Sequence, residues 1–178
     1  LSVNTVNKYA LNIIGGYSLG TEAMEIGGLF NIDRGNVKGV QVAGLFNLVG
    51  DSVKGLQIAG GLNITGKQMA GFQQAGIMNL NIGDMKGMQI GGILNLNMKK
   101  LSGATLGGIG TVTDTLAGCA MAGIFNWNQY SDKSMEMSCF VNHSSYGKNN
   151  CQLAGYVNTT RHGTTRFQIA VFVNRADT

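Results

Sequence analysis

The chain offers few residues that could act as catalysts. Its two histidines, His143 and His162, lie far apart in sequence, and Ser144 and Ser145 directly follow the first of them. A serine nucleophile needs a base within hydrogen-bond reach, and adjacency in sequence does not provide that geometry. We therefore interpret these residues as polar turn residues, and we expect no catalytic residue and no enzymatic activity.

The three cysteines could supply metal ligands or redox chemistry. They are Cys119, Cys139 and Cys151, and none belongs to a closely spaced pair of the zinc or redox type. His143 could join Cys139 and Cys151 in a zinc set, but no fourth ligand accompanies them. We interpret the cysteines as small buried core residues, and we expect no metal site and no cofactor.

Aspartates recur in the segments that link the apolar stretches, as they do in calcium-binding β-rolls. The glycine-rich nonapeptide of those proteins is missing from this sequence, and most linking segments carry one aspartate beside a lysine. Solvated surface charge is therefore the favoured interpretation. The aspartates concerned are Asp33, Asp51, Asp84, Asp114 and Asp132.

The composition limits the class of protein. The 178 residues are 44% apolar and only 12% charged, which suits one domain with a core and argues against disorder. The net charge is +4, yet the basic residues are not interleaved with aromatic residues, so we expect no nucleic-acid partner. No run of about eighteen apolar residues occurs, and we therefore expect no transmembrane helix.

An internal repeat organises the whole chain. Asparagine recurs every sixteen residues, the phase continues to Thr111, and a one-residue deletion precedes the later copies. A unit this short cannot bury an apolar face alone, so neighbouring copies must share one continuous core. The asparagines at this position are Asn31, Asn47, Asn63, Asn79, Asn95, Asn126, Asn142, Asn158 and Asn174.

Each unit has the pattern of extended β-structure. Side chains alternate with period two, β-branched and aromatic residues are common, and no window shows helical spacing with caps. We predict a single all-β domain over 1–178. It comprises an N-terminal cap or first strand in 1–22, ten repeats in 23–175 and an open end at 176–178.

Two all-β architectures could use ten such units. The first is a parallel β-solenoid of about ten 16-residue coils, in which like residues stack on like. The second is an antiparallel outer-membrane β-barrel with one strand per repeat, because ten residues are enough for a membrane strand and charges within the segments are rare. In that barrel Gln and Asn would line a polar lumen, and the protein would act as a pore or as a subunit of a complex.

Three features favour the solenoid. Small residues recur at three places in each unit and divide the coil into three short faces. The connections also repeat, which follows naturally only if every coil meets the same surroundings. An apolar residue recurs two positions before the repeat glycine, where a barrel turn would face water. We assign these residues to the core: Val37, Val53, Met69, Met85, Leu101 and Leu116.

Stacking would place identical side chains above one another. The asparagines would form one amide ladder, in which each side chain forms a hydrogen bond to its copy on the neighbouring strand, about 4.8 Å away. Leu45 and Phe46 are neighbours and point opposite ways on a strand, so one of the two rows is exposed or is covered by a partner. A second amide ladder would comprise Gln41, Gln57, Gln73 and Gln89.

Two outer rows are candidates for partner contact. An apolar row would support a protein partner or self-association, which an open end of the stack would also allow. A lysine row could attract an anionic polysaccharide or a lipid surface, although lysines at such places more often protect sheet edges. The apolar row is Leu45, Ile77, Ile93, Ile109 and Ile124, and the lysine row is Lys38, Lys54 and Lys86.

The repeat string Gly-x-Gln-x-(Ala/Gly)-Gly-(Leu/Ile)-x-Asn, as in Gly39–Asn47 and Gly87–Asn95, resembles surface-repeat proteins of Gram-negative bacterial envelopes. The resemblance covers nearly the whole chain, although Thr105, Ala120 and Glu136 replace Gln in later repeats. It implies a location in the cell envelope, at the outer membrane or cell surface, and no enzyme class. We therefore expect a non-enzymatic structural or binding module that presents a repetitive β surface to a partner.

Overall fold

The chain folds as a parallel β-solenoid. The computed structural model describes residues 4–177 and contains about 11 turns, with successive turns about 16 residues apart. Among these residues there is no helix of the length and apolar character that crossing a membrane requires. Residues 1–3 and 178 of the predicted terminal segments lie outside the described part. The solenoid prediction is confirmed.

Seventeen strands build the stack. In the first turns a short strand alternates with a longer one, and from Leu94 onward one long strand usually covers both. The strands are β1 (Val6–Asn12), β2 (Gly15–Ser18), β3 (Gly20–Gly27), β4 (Phe30–Asp33), β5 (Val37–Ala43), β6 (Phe46–Val49), β7 (Ser52–Ala59), β8 (Leu62–Thr65), β9 (Gln68–Ala75), β10 (Met78–Asn81), β11 (Asp84–Gly91), β12 (Leu94–Gly107), β13 (Gly110–Ala122), β14 (Phe125–Ser138), β15 (Val141–Ala154), β16 (Val157–Ile169) and β17 (Val173–Ala176).

The strand pairings that the structure describes are all parallel and join each residue to its copy in the next coil. Asn47 pairs with Asn63, and Asn63 pairs with Asn79. An antiparallel barrel requires neighbouring strands to run in opposite directions. That alternative is therefore wrong for this chain.

Each coil turns at two corners. In one coil β6 ends at Val49, the chain turns at Gly50 and Asp51, and β7 runs to Ala59 before the next turn. The third small-residue position lies inside the long strand, where Gly55 has a φ of +131°. A Cβ there would lie 2.1 Å from the carbonyl oxygen of Gly39, so both the backbone conformation and the space require glycine.

The apolar part of the interior is small. Strand alternation points one apolar side chain per coil inward at the start of the long strand, and Val49 and Ala120 lie in the same cluster. The predicted core row is fully buried, which confirms that assignment. Its members are Val37, Val53, Met69, Met85, Leu101 and Leu116.

The N-terminal segment contributes a turn of its own. β1 pairs in parallel with β3, and β2 pairs in parallel with β4. Tyr9 pairs with Met24, which is one residue less than the usual spacing, and the register also shifts between Asn7 and Tyr9. This irregular register explains why the sequence period does not extend into the first turn.

Candidate functional site

The asparagine side chains of the repeat point into the solenoid. Asn63 is fully buried, and its Nδ2 donates to Asn79 Oδ1 at 3.0 Å and to the carbonyl oxygen of Gln74 at 2.6 Å. Its Oδ1 accepts a hydrogen bond from Asn47 Nδ2 at 2.9 Å. The parallel stack places each amide one strand spacing from its copy, so the same bonds recur in most coils. The row ties each coil to the next and holds the turn after the long strand.

The glutamines form a second buried row. Gln57 Nε2 donates to Gln41 Oε1 at 3.0 Å, and Gln73 Nε2 donates to Gln57 Oε1 at 2.7 Å. The next step differs, because Asn81 Nδ2 donates to the Oε1 atoms of both Gln73 and Gln89, at 2.9 and 2.8 Å. The buried amides therefore serve as one another's partners, which offsets the cost of removing them from water.

Two carboxyl groups continue the glutamine row toward the N-terminus. Gln41 Nε2 donates to Glu25 Oε2 at 3.0 Å and to Asp33 Oδ2 at 2.6 Å, and Ser18 also donates to Asp33. Both carboxyl groups are fully buried. Burial, together with the adjacent Asp33 carboxyl, raises the pKa of Glu25 to about 8. At neutral pH Glu25 is therefore predominantly protonated.

A third buried carboxyl group occupies the glutamine position in the C-terminal coils. Glu136 accepts hydrogen bonds from Ser131 Oγ at 2.9 Å, Ser144 Oγ at 2.7 Å and Gln152 Nε2 at 3.0 Å. Burial raises the pKa of Glu136, and these hydrogen bonds oppose the rise. The Glu136 carboxyl group and its serine partners are therefore engaged in hydrogen bonds within the interior.

The raised pKa of Glu25 predicts a stability that falls as pH rises. Between the pKa values of the unfolded and the folded state, the folded state retains a proton that the unfolded state loses. The contribution of Glu25 to the free energy of unfolding is therefore complete below about pH 4.5 and is lost as pH rises toward about 8. The loss is at most about 5 kcal/mol. We expect Glu25→Gln to reduce this pH dependence, measured by urea unfolding at pH 5 and pH 8. Exposed Glu22→Gln is the matched control, and an equal pH slope in wild type and Glu25→Gln would contradict the assignment.

The corner after the long strand carries a row of exposed apolar side chains, which we call the apolar ridge. Backbone hydrogen bonds join its members from coil to coil, as from Ile93 N to Ile77 O at 2.9 Å and from Ile109 N to Ile93 O at 2.9 Å. The exposed fractions of these three side chains lie between 42% and 49%. Gly61 leaves one gap. The ridge consists of Leu29, Leu45, Ile77, Ile93, Ile109, Ile124, Phe140, Tyr156 and Phe172.

Apolar rows also flank the ridge on both sides. On the short strands Phe46 and Leu48 point outward, and on the long strands Val40 and Val42 point outward, all of them half-buried. Leu45 and Phe46 are adjacent in sequence, yet both face the exterior, so both rows are at the surface rather than one. A shallow groove of about 510 Å³ runs beside the ridge on the long-strand side, lined by Leu106, Met121, Met137, Leu153 and Ile169.

Basic side chains gather at the other corner and at the first residues of the long strand, a region that we call the basic corner. Lys38 pairs with Lys54, and Ala70 interrupts the row before Lys86. All the basic residues from 34 to 161 lie in this region and are exposed. They are Arg34, Lys38, Lys54, Lys67, Lys86, Lys99, Lys100, Lys133, Lys148 and Arg161.

The residues considered for nucleophilic chemistry are dispersed. Ser144 points inward to Glu136, whereas His143 Nε2 lies 3.3 Å from Ser145 Oγ. Burial and the nearby charge of Arg161 lower the pKa of His143. The two histidine rings belong to separate stacks, and His143 is buried whereas His162 is exposed. The ring contacts are Trp127 with His143 at 4.2 Å, Tyr130 with Tyr146 at 5.3 Å and Tyr146 with His162 at 5.0 Å between centroids.

The expectation that the cysteines are buried core residues is wrong. Cys119 and Cys151 occupy an outward row on the long strand and are half-buried, and Cys139 is exposed at the ridge corner. Partial burial raises the pKa of both the Cys119 and the Cys151 thiols. Within residues 4–177 no three His, Cys, Asp or Glu side chains are grouped so that they could hold a metal ion.

Sequence reasoning missed three parts of this arrangement. Glu25 and Asp33 were not recognised as one buried pair, although Glu25 stands in the glutamine position one repeat before Gln41. The stacked rings of the C-terminal coils were missed too, and the sixteen-residue spacing of Tyr130 and Tyr146 is the signal that could have found them. The groove has no such signal, because its shape depends on how side chains of five coils pack.

No known protein family, curated protein or solved structure gives a significant match to this chain.

Proposed function

We propose that this protein is a non-enzymatic structural and binding module of a bacterial cell envelope, which attaches lengthwise to its partner through the apolar ridge. The ridge is the observation that carries the proposal. Soluble monomers rarely expose a contiguous apolar surface of this extent, and such surfaces usually mark contact with a partner. Here the surface carries nine exposed apolar side chains along ten coils, with one gap at Gly61, and no charged side chain.

The polar interior supports a structural role. Asparagine, glutamine and glutamate side chains bond one another inside the stack. Activity of the molecule therefore rests on its outer surface. The resemblance of the repeat to Gram-negative surface-repeat proteins supports an envelope location, at the outer membrane or the cell surface.

The attachment predicts a change of location when the ridge is made polar. In Gram-negative cells that export the chain behind a cleavable signal, the wild-type protein should sediment with the envelope fraction. The triple variant Ile77→Ser, Ile93→Ser and Ile109→Ser should shift to the soluble periplasmic fraction, because about half of each side chain is already exposed and its loss leaves the fold intact.

The control replaces exposed apolar residues by serine at the other corner of the coil. Ile82 and Met98 are exposed by 45% and 51%, and they lie at the basic corner rather than on the ridge. Ile82→Ser with Met98→Ser should leave the protein in the envelope fraction. If the ridge variant and the control distribute alike, attachment does not depend on the ridge and the proposal fails.

A further inference from the structure

The apolar ridge is convex, and its two flanks are both apolar. It lies at a corner of the coil, with Phe46 and Leu48 on one side and Val40 and Val42 on the other. A second copy of the same ridge, meeting it along a two-fold axis, would cover one flank of each molecule and leave the other flank in water. A medium that surrounds the ridge covers both flanks, and fluid acyl chains have that property.

Charged and apolar side chains lie at opposite corners of the coil. No charged side chain points outward from the ridge or its flanks between residues 37 and 160, while the exposed basic residues lie at the opposite corner. Interfacial membrane segments show this division, with an apolar face in the acyl region and a basic face in water.

The groove beside the ridge matches the dimensions of an acyl chain rather than of a folded partner. It crosses five coils, which corresponds to about 20 Å, and follows the solenoid axis. Leucine, isoleucine and methionine side chains line it, and methionine adapts readily to irregular apolar shapes. An extended hydrocarbon chain would lie along it without meeting a charged group.

The single tryptophan stands where a membrane boundary would fall. Trp127 is three residues beyond the ridge residue Ile124, roughly 10 Å along the coil, and it is 49% exposed. Interfacial segments bury their apolar face by about 5–10 Å. Tryptophan favours that boundary because its ring is apolar and its N–H is polar.

We propose that the ridge binds the surface of a lipid bilayer, with the solenoid axis lying in the membrane plane, the ridge among the acyl chains and the basic corner in water. This inference rests on the proposed function and names its partner. It requires no other protein, so it can be tested with the purified chain and vesicles.

The test is vesicle flotation with tryptophan fluorescence. The purified chain is mixed with phosphatidylcholine vesicles that contain a minority of phosphatidylglycerol. We expect wild type to float with the vesicles, and the ridge variant Ile77→Ser, Ile93→Ser and Ile109→Ser to partition at least about tenfold less. The Ile82→Ser, Met98→Ser control should float like wild type, and circular dichroism melting should show both variants folded.

Depth is read from Trp127. On vesicle binding its emission should shift to the blue, and phospholipid brominated high on the acyl chain should quench it more than lipid brominated near the chain terminus. The proposal is overturned if wild type does not float, if the ridge variant floats equally well, or if Trp127 is insensitive to brominated lipid. Ridge-dependent envelope attachment without flotation would overturn only the lipid partner and would leave the proposed function standing.

Discussion

Gly71→Ala is expected to prevent formation of a stable stack. The φ of Gly71 is +134°, and a Cβ there would lie 2.1 Å from the carbonyl oxygen of Gly55 in the preceding coil. The clash is with backbone, so no side-chain rotation relieves it, and the backbone conformation is itself costly for alanine. We expect a destabilisation of at least about 4 kcal/mol, seen as loss of folded protein or of the cooperative transition in circular dichroism melting.

The adjacent residue supplies the control for this change. Ala70 stands at the position that lysine occupies in neighbouring coils, and it pairs with Lys54 and Lys86. Ala70→Lys adds a far larger side chain but points it outward, so we expect a melting temperature close to that of wild type. A Gly71→Ala protein as stable as Ala70→Lys would show that the stack can separate at this point, contrary to its backbone geometry.

Asn63→Ala should also destabilise the solenoid strongly. The change removes donors to Asn79 Oδ1 and to the Gln74 carbonyl, removes the acceptor for Asn47, and leaves a void in the interior. Unpaired buried polar groups and a cavity together cost about 3 kcal/mol. For a chain of this length the melting temperature should fall by roughly 6–12 °C.

The end of the same ladder provides the comparison. Asn174 accepts a hydrogen bond from Asn158 Nδ2 at 3.0 Å, but it is exposed. Water can replace its bonds, so Asn174→Ala should change the melting temperature by much less than Asn63→Ala. Equal effects at the two positions would mean that burial within the stack does not set the value of the amide bonds.

The repeat period made the coil predictable from sequence. Asparagine every sixteen residues, with apolar residues such as Val53 and Met69 recurring in the connections, indicated parallel stacking of identical coils, and the structure has that architecture. Spacing predicts stacking because a parallel stack is the arrangement in which every copy meets the same neighbours. The first turn was not predicted as a coil of the stack, because the register between β1 and β3 departs from the sixteen-residue period.

The candidate site was predicted less completely. Leu45 and the equivalent isoleucines were named as a surface row, but the flanking rows, the groove and the position of Trp127 relative to the ridge were not. These features depend on side chains that are far apart in sequence and adjacent only across coils. The error over Cys119 and Cys151 has the same origin, because an apolar row was taken as interior when the strand alternation in fact points it outward.

The sequence by itself determined the period, the strand pattern, the positions of the small residues and the residues that form rows. The sequence also placed the row of Val53 and Met69 in the core, but only the tertiary structure decided that the amide rows face inward and that the Val40 and Phe46 rows face outward. Alternation with period two is symmetrical between the two faces of a strand, and the usual rule would place the apolar rows inside. Here most of the repeat amides are inside, because they bond to their copies one strand spacing away. The apolar rows of the ridge and its flanks are left on the outer surface, whereas the row of Val53 and Met69 is buried.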